Sequence, residues 1–453
     1  MYRYIKQTKA FVKALTIIIL FLMAEVPTFA QQGNPSFDAS QKKAVINKAL
    51  ELIKENYVFP GKYDQIEKEI KNKLLNKEFD NLNNPQDFLN QLNKDLQIAG
   101  QDRHLKISFS PQIVKQIIED KKKGDNSPTQ YTPELLSWMK FENYGLRKVE
   151  RMEGNIGYFK FDRFTDLQLA KEAITGAMNF INNSSAIILD LRDNGGGDSG
   201  ASELIVNYFF PDGKKLGDFK FRKDAVPKEN IVKHDPSVKK IPDNIPVYIL
   251  VSNKTASAAE YVSYVLQQFK RATVIGEQTS GKANPGELFV VNDFLYMMVP
   301  TGAGRILPTW TNWEGTGVIP DIKIDPFFAL SKVITEICPV LEKQDQNSEH
   351  KTLYKWINDQ YSAQLNPEPL SQKLVNSIVG TYEGNRRITL ENGMLYYVGG
   401  NGAKRSLTYM NNSTFMTEGR TDYRLKFPSD QKIVDHYDVL WFDGTSDKVK
   451  RAN

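Results

Sequence analysis

Ala186-Ile-Ile-Leu-Asp-Leu-Arg-Asp-Asn-Gly-Gly-Gly197 is an apolar run that ends abruptly in charge and three consecutive glycines. A short segment that is apolar on both faces predicts a strand covered by helices on both sides. The glycines allow a sharp turn that aims backbone amides at one spot, before a helix predicted over Ala201 to Phe210. Such a turn is either an anion or oxyanion site or a tight strand-to-helix connection, and the segment alone leaves both open. The same texture recurs at Val247-Tyr-Ile-Leu-Val251, followed by Lys254-Thr-Ala-Ser-Ala-Ala-Glu260 and an apolar-faced helix to Phe269. Upstream, Ile156 to Phe161 reads as a strand and Leu167 to Ile181 as a helix. Strands and helices in alternation predict an α/β layer architecture.

The flanks have other textures. From Asp38 to about Ile118 apolar residues recur at helical spacing, as in Val45, Ala49 and Ile53, and Asn83-Asn-Pro85 reads as a helix start. Asn392-Gly393 between Ile388-Thr-Leu390 and Met394-Leu-Tyr-Tyr397 predicts a hairpin, and short strands fill the last 80 residues. The predicted organisation is a signal peptide over 1–30, a helical domain over 31–119, a linker over 120–145 and an α/β domain over 146–330. A helical connector over 331–369 and a small all-β accessory domain over 370–453 complete it.

The chain of 453 residues is 40% hydrophobic, enough to bury several cores, which excludes a disordered chain. Its net charge is +5, and Arg3, Lys6, Lys9 and Lys13 account for most of it. Beyond residue 30 there are 55 basic residues against 53 acidic ones, so bulk charge gives no ground for nucleic-acid binding. Those early cations precede the apolar run Ala14 to Met23, too short for a stable membrane span, and Thr28 and Ala30 offer the small residues of a cleavage site. Export to a bacterial periplasm or envelope is expected, without a stable membrane anchor after cleavage. The single cysteine, Cys338, forms no internal disulfide and sits in an apolar helical stretch, where it reads as a small buried hydrophobe.

Ser257 at a predicted helix start reads either as an N-cap or as a nucleophile whose neighbour, Ala258, lends an oxyanion-binding amide. Gly276-Glu-Gln-Thr-Ser-Gly-Lys282 nearly matches the phosphate-cradling loop, but Ala283 replaces the required hydroxyl and strand-like Leu288 to Val291 replaces the required helix. Lys282 is then an ordinary loop lysine or a base. His234, His350 and His436 lack metal-ligand spacing, and neither a metal nor a cofactor is expected.

Taken together these blocks resemble the S41 peptidase family, in the branch of interphotoreceptor retinoid-binding protein and the core of the tricorn protease. The resemblance rests on Glu55-Asn-Tyr-Val-Phe-Pro60, Gln97 to Pro111 with Asp102-Arg-His104, the triple-glycine block and Thr255-Ala-Ser-Ala-Ala-Glu260. It continues through Gly276-Glu277, Gly286-Glu287 and Asn312-Trp-Glu-Gly-Thr-Gly-Val-Ile-Pro-Asp321, so that it spans roughly residues 40 to 330. It implies a crotonase-like core and Ser257 as nucleophile; the stretch from His104 to Asp190 is filled by the linker, a strand and a helix, so no inserted PDZ module is expected. It also implies an oxyanion hole from the Ala258 amide and one glycine of Gly195 and Gly196. The general base falls on His104 with Glu314 in tricorn-like members, or on Lys282 in tail-processing members. A polar, glycine-containing loop is a poor place to desolvate an amine, which favours His104. Arg103 stands where a bridging serine would precede that histidine, so Ser108 is the hydroxyl available if the segment folds back. The expected activity is peptide-bond hydrolysis on peptides or unfolded proteins through an acyl-enzyme, with no prediction of oligomeric state. A non-catalytic binder of apolar ligands or peptides, and a hydrolase of small esters or amides, are the alternatives on the same fold.

Overall fold

The computed structural model describes residues 37–123, 131–236, 238–428 and 431–452. The expected signal peptide, and residues 124–130 of the expected linker, lie outside the described residues. Two compact units are formed, one from residues up to and including Pro326 except 153–155, the other from 153–155 and 327–453.

The first unit opens with three helices, α1 (Ala39–Asn56), α2 (Tyr63–Leu75) and α3 (Pro85–Gly100). The start of α3 follows from its sequence: Asn84 accepts the Gln86 amide at 2.8 Å, and Pro85 occupies a position that needs no N–H. Phe88, Leu89, Leu92 and Leu96 then face a core shared with α1 and α2. Gln101, in the left-handed conformation with φ 50°, stops the helix and releases Asp102-Arg-His104 into strand β1 (Lys106–Phe109). The Asn93 side chain binds the Ile107 carbonyl at 2.8 Å and accepts its amide at 2.7 Å, fixing β1 against α3.

Helix α4 (Pro111–Lys123) follows, then α5 (Pro133–Phe141), so the expected linker is partly helical. Thr132 caps α5 by accepting the Leu135 amide, a Thr-Pro start that the loop reading of this stretch overlooked. The alternating region gives β2 (Leu146–Met152), β3 (Ile156–Phe161), α6 (Leu167–Ile181), β4 (Ala186–Asp190) and α7 (Ser199–Asn207). A hairpin, β5 (Lys215–Phe221) and β6 (Lys228–Ile231), precedes β7 (Val247–Val251), α8 (Ala258–Gln268) and β8 (Thr273–Gly276). Strands β9 (Gly286–Val290), β10 (Leu295–Pro300), β11 (Gly302–Ile306) and β12 (Ile322–Lys323) close the unit.

The principal sheet has order β12-β8-β7-β4-β3-β2, parallel except for β2. Every residue of the adjacent strands β4 and β7 is buried, as their unbroken apolar runs require. Strand β1 pairs not with its sequence neighbours but with β10, Ile107 opposite Met297. Leu295, Met297 and Val299 of β10 thereby complete the core of the helical segment. The hairpin β9–β10 thus forms a separate three-stranded sheet with β1, the strand that follows Asp102 to His104.

In the second unit, helices Ala329–Gln344 and Ser348–Leu365 precede Gln372–Ile378 and eight strands, Gly380–Tyr382 to Ser446–Lys450, paired antiparallel in chain order. Asn392 and Gly393 turn the expected hairpin with φ 50° and 80°, the positive pair of a type I′ turn. The helices expected as a connector pack with these strands: Arg424 stacks on Trp356, 3.7 Å from its ring centre, and Trp356 donates to the Thr421 carbonyl. Cys338 is 1% exposed, and burial pushes its thiol up to about 12.

Candidate active site

The carboxyl ends of β4 and β7 lie side by side, Asp190 opposite Leu250, at the edge where parallel sheets present their ligand sites. Two loops leave there, one with the glycines, one with Ser257. Asp190, fully buried, accepts from the Tyr158 hydroxyl and from the Arg192 guanidinium, which anchors the first loop at its root. Asn194 joins the loops: its side chain binds the Phe161 carbonyl at 3.0 Å, and its own carbonyl accepts the Ala256 amide at 3.1 Å.

The glycines are required sterically at two positions. A Cβ on Gly196, at φ 96°, would lie 2.7 Å from the Ala256 carbonyl and 2.8 Å from the Ser257 Cβ. A Cβ on Gly197, at φ 136°, would lie 2.1 Å from the Phe164 carbonyl oxygen. Gly196 therefore abuts the serine. Its amide, however, donates to the Asn194 side chain at 2.9 Å, and the Gly195 amide donates to the Asp162 carbonyl at 3.2 Å. The two glycines expected to supply an oxyanion amide thus spend those amides on their own turn, whereas the Gly197 amide meets no acceptor among the described residues.

Ser257 has φ 53° and ψ −116°, a conformation that costs a non-glycine residue about 1–3 kcal/mol and that the surroundings must enforce. Glu260 enforces it. One oxygen of its buried carboxylate accepts the amides of Ser257 at 2.8 Å and Lys282 at 2.9 Å. The other accepts the Gly281 amide at 2.6 Å and the Thr279 hydroxyl at 2.5 Å. Burial raises the Glu260 pKa while these hydrogen bonds lower it. Ala258, the first residue of α8, has no intrahelical acceptor for its amide. That amide nitrogen is 3.1 Å from where a Gly196 Cβ would stand.

Glu314 forms a second bracket on the same 279–284 loop. Its Oε2 accepts the Ala283 amide at 2.7 Å and the Asn284 amide at 2.9 Å, and its Oε1 accepts the Arg103 amide at 3.1 Å. The same Oε2 lies 3.8 Å from His104 Nδ1, which has no hydrogen-bond partner although it is buried. Among the described residues no hydroxyl bridges the pair, and that of Ser108 is taken up by Tyr296. Burial, and then Asp102, pushes the Glu314 carboxyl up to about 7. Burial, and then the Lys282 charge, pushes His104 down to about 3.

Lys282 departs from the sequence argument, which treated its loop as solvated. The two carboxylates fold the loop inward, Trp313 Nε1 binds the Lys282 carbonyl at 3.1 Å, and the amine is desolvated. Burial, and then Lys106, lowers its pKa. Both candidate bases are therefore gathered around the loop that Glu260 ties to Ser257.

Asp102, Glu260 and Tyr57 lie in motifs that carry the resemblance but, like Asn284, have no role assigned from sequence. The Asp102 carboxylate accepts from the His104 amide at 3.0 Å, Asn284 Nδ2 at 2.9 Å and the Tyr57 hydroxyl at 3.2 Å. Ser257-Ala-Ala-Glu260 fits the capping-box pattern, a signal that could have identified Glu260. Nothing in the sequence marks Asn284. The ligand atoms of Asp102, His104 and Glu314 lie within 4.8 Å of one another, close enough to be weighed as a metal site. Six protein donors already occupy the two carboxylates, so the set is a poor fit to a cation. The other histidines bond locally, His234 to the Phe210 carbonyl, His350 to Asp345 and His436 to Asp435.

Comparison with known proteins bears on this geometry. Residues 155–324 match the model of Peptidase family S41, and residues 39–139 match the N-terminal domain of Peptidase_S41 in eukaryotic IRBP. The chain is 29% identical over 180 residues to a carboxy-terminal-processing protease of Bartonella bacilliformis, covering 39% of this chain and 40% of the relative. It is 34% identical over 175 residues to chloroplastic carboxyl-terminal-processing peptidase 2 of Arabidopsis thaliana, covering 37% and 31%. The solved photosystem II D1 C-terminal processing protease aligns with TM-score 0.40 and 16% identity, over 63% of this chain and 93% of that one. The chain spans less than half the length of the curated relatives it matches. The two family models meet the chain on both sides of the site, one at the His104 segment and one at the loops of Ser257 and Glu314, and the chain belongs to peptidase family S41.

Proposed function

We propose that this chain is an exported serine peptidase that hydrolyses peptide bonds through an acyl-enzyme on Ser257, and that its core is crotonase-like. The observation that carries the reading is the braced serine: a strained hydroxyl-bearing residue at the first turn of α8, beside a free helix-start amide and a glycine loop. Ser257 attacks the scissile carbonyl. The oxyanion is held by the Ala258 amide and one from the triple-glycine loop, and Gly197 is the glycine with an amide to spare. His104, neutral at physiological pH, takes the serine proton, and the Glu314 carboxylate stabilises the imidazolium. The same imidazole returns the proton to the leaving amine, and water then releases the acyl group.

A second reading, with Lys282 as base, is favoured by one observation, the desolvation of its amine. Among the described residues no helix is long and apolar enough to cross a membrane. Export rests on the N-terminal sequence, and intact-mass analysis of envelope-purified protein tests it, since retention of residues 1–30 would contradict cleavage. A fluorophosphonate probe with peptide mapping tests the nucleophile: Ser257 takes the label, and Ser257→Ala removes both label and turnover. A folded protein that takes no label would refute the assignment.

A further inference from the structure

A cavity opens on the nucleophile and contains a carboxylate that the reaction above does not use. It encloses about 450 Å³ between its walls, open mouth included, and Ser257 and Ala258 form part of its lining. Ser199, Ser202 and Glu203, at i, i+3 and i+4 spacing on α7, supply its polar side. Phe219, Tyr261 and Trp313 supply aromatic walls, with ring centres 6.4 Å apart for Phe219–Tyr261 and 6.5 Å for Tyr261–Trp313.

Two of the polar groups around this cavity are held by the fold. Ser202 donates to the Ser199 carbonyl at 2.8 Å, and the Tyr261 hydroxyl accepts from Asn230 at 3.0 Å. Among the described residues the Glu203 carboxyl makes no hydrogen bond and no ion pair, although it faces the cavity. Glu203 itself is exposed to solvent at the open side of the cavity; the protein atoms crowded about it, and then the charge of Asp198, raise its pKa, while Lys233 lowers it. A carboxylate at the mouth of a pocket, with no cation of its own, attracts an incoming one, and more so once the bound side chain excludes water. Aromatic faces beside it suit a flat, delocalised cation better than a neutral amide.

We propose that this cavity receives the side chain of the substrate residue whose carbonyl Ser257 attacks, and that Glu203 and the aromatic walls select a basic side chain there, arginine foremost. This rests on the peptidase reading of the site and names its substrate class. Cleavage then follows arginine or lysine, with the guanidinium or ammonium paired to Glu203.

The test uses the full chain and fluorogenic peptide amides that differ only at the residue before the cleaved bond: arginine, lysine, citrulline, leucine and glutamate. Citrulline keeps the shape of arginine and removes the charge. The expected kcat/KM for arginine exceeds that for citrulline about tenfold or more, and Glu203→Gln collapses this ratio to about one. Equal rates for arginine and citrulline, in a protein whose Ser257 reacts with a fluorophosphonate, would overturn the specificity while leaving the peptidase reading intact. No labelling and no turnover of any peptide would overturn both. If E203Q does not fold, the wild-type ratio of arginine to citrulline still decides.

Discussion

Replacing Glu314 with glutamine separates the two possible bases by the shape of the pH profile as well as by the rate. Glu314 Oε2 is 3.8 Å from His104 Nδ1. At an effective dielectric of about 20, a full negative charge at that distance favours an imidazolium by about 4 kcal/mol. Three amide hydrogen bonds already draw on the carboxylate, so the expected loss in kcat/KM is on the order of 10²- to 10³-fold. The sign of the pH effect follows from the two pKa values. His104 is held down to about 3 and Glu314 up to about 7, so between these limits the pair keeps one proton, and Glu314 carries it. A neutral acid cannot stabilise an imidazolium, so the rate rises with pH as Glu314 ionises near 7. The rise that sequence alone would assign to a histidine thus belongs to the pair and is governed by the glutamate.

In Glu314→Gln that limb disappears and a low, flat profile remains. If Lys282 is the base, the limb follows the lysine and survives the substitution, whereas Lys282→Gln is inactive. The assay is kcat/KM on one peptide from about pH 5 to about pH 9 for wild type, E314Q and K282Q. The glutamine amide must oppose at least one backbone N–H, an unmade hydrogen bond worth about 1–3 kcal/mol, so thermal melts accompany the kinetics. An E314Q enzyme with wild-type rate and wild-type limb, beside a dead K282Q, would refute the histidine mechanism.

Three further outcomes follow from the packing. Gly197→Ala places a methyl 2.1 Å from the Phe164 carbonyl at φ 136°, so fluorophosphonate labelling of Ser257 should fall at least tenfold with melting temperature lowered; undiminished labelling would show that the turn can relax. Glu260→Gln leaves at least one of the bracketed donors unpaired and should cost about 1–3 kcal/mol by denaturant unfolding, together with loss of turnover; unchanged stability would remove its bracing role. Cys338, buried with its thiol pushed up to about 12, should react with thiol reagents only on unfolding, and rapid modification of the native protein would contradict its packing.

Local patterns carried most of the α/β order. The strands Ile156–Phe161, Ala186–Asp190 and Val247–Val251, and the helix Leu167–Ile181, lie where apolar runs and periodicity predict them, because each pattern is set within a few neighbouring residues. The positions of Ser257, His104, Glu314 and Lys282 were also legible as motifs, though their roles were not. What neighbouring residues cannot encode is a pairing across some 190 positions, and the union of β1 with β10, which anchors the strand just after His104, is one. The burial of Lys282 is another such case. Its loop is polar in composition, and two carboxylates from distant segments, Glu260 and Glu314, fold it inward by capturing its amides. Local sequence sets most of the elements that form and the side chains available for chemistry. Which of them meet, and with what pKa, depends on the folded arrangement, because desolvation and charge act through space between groups that the chain keeps far apart.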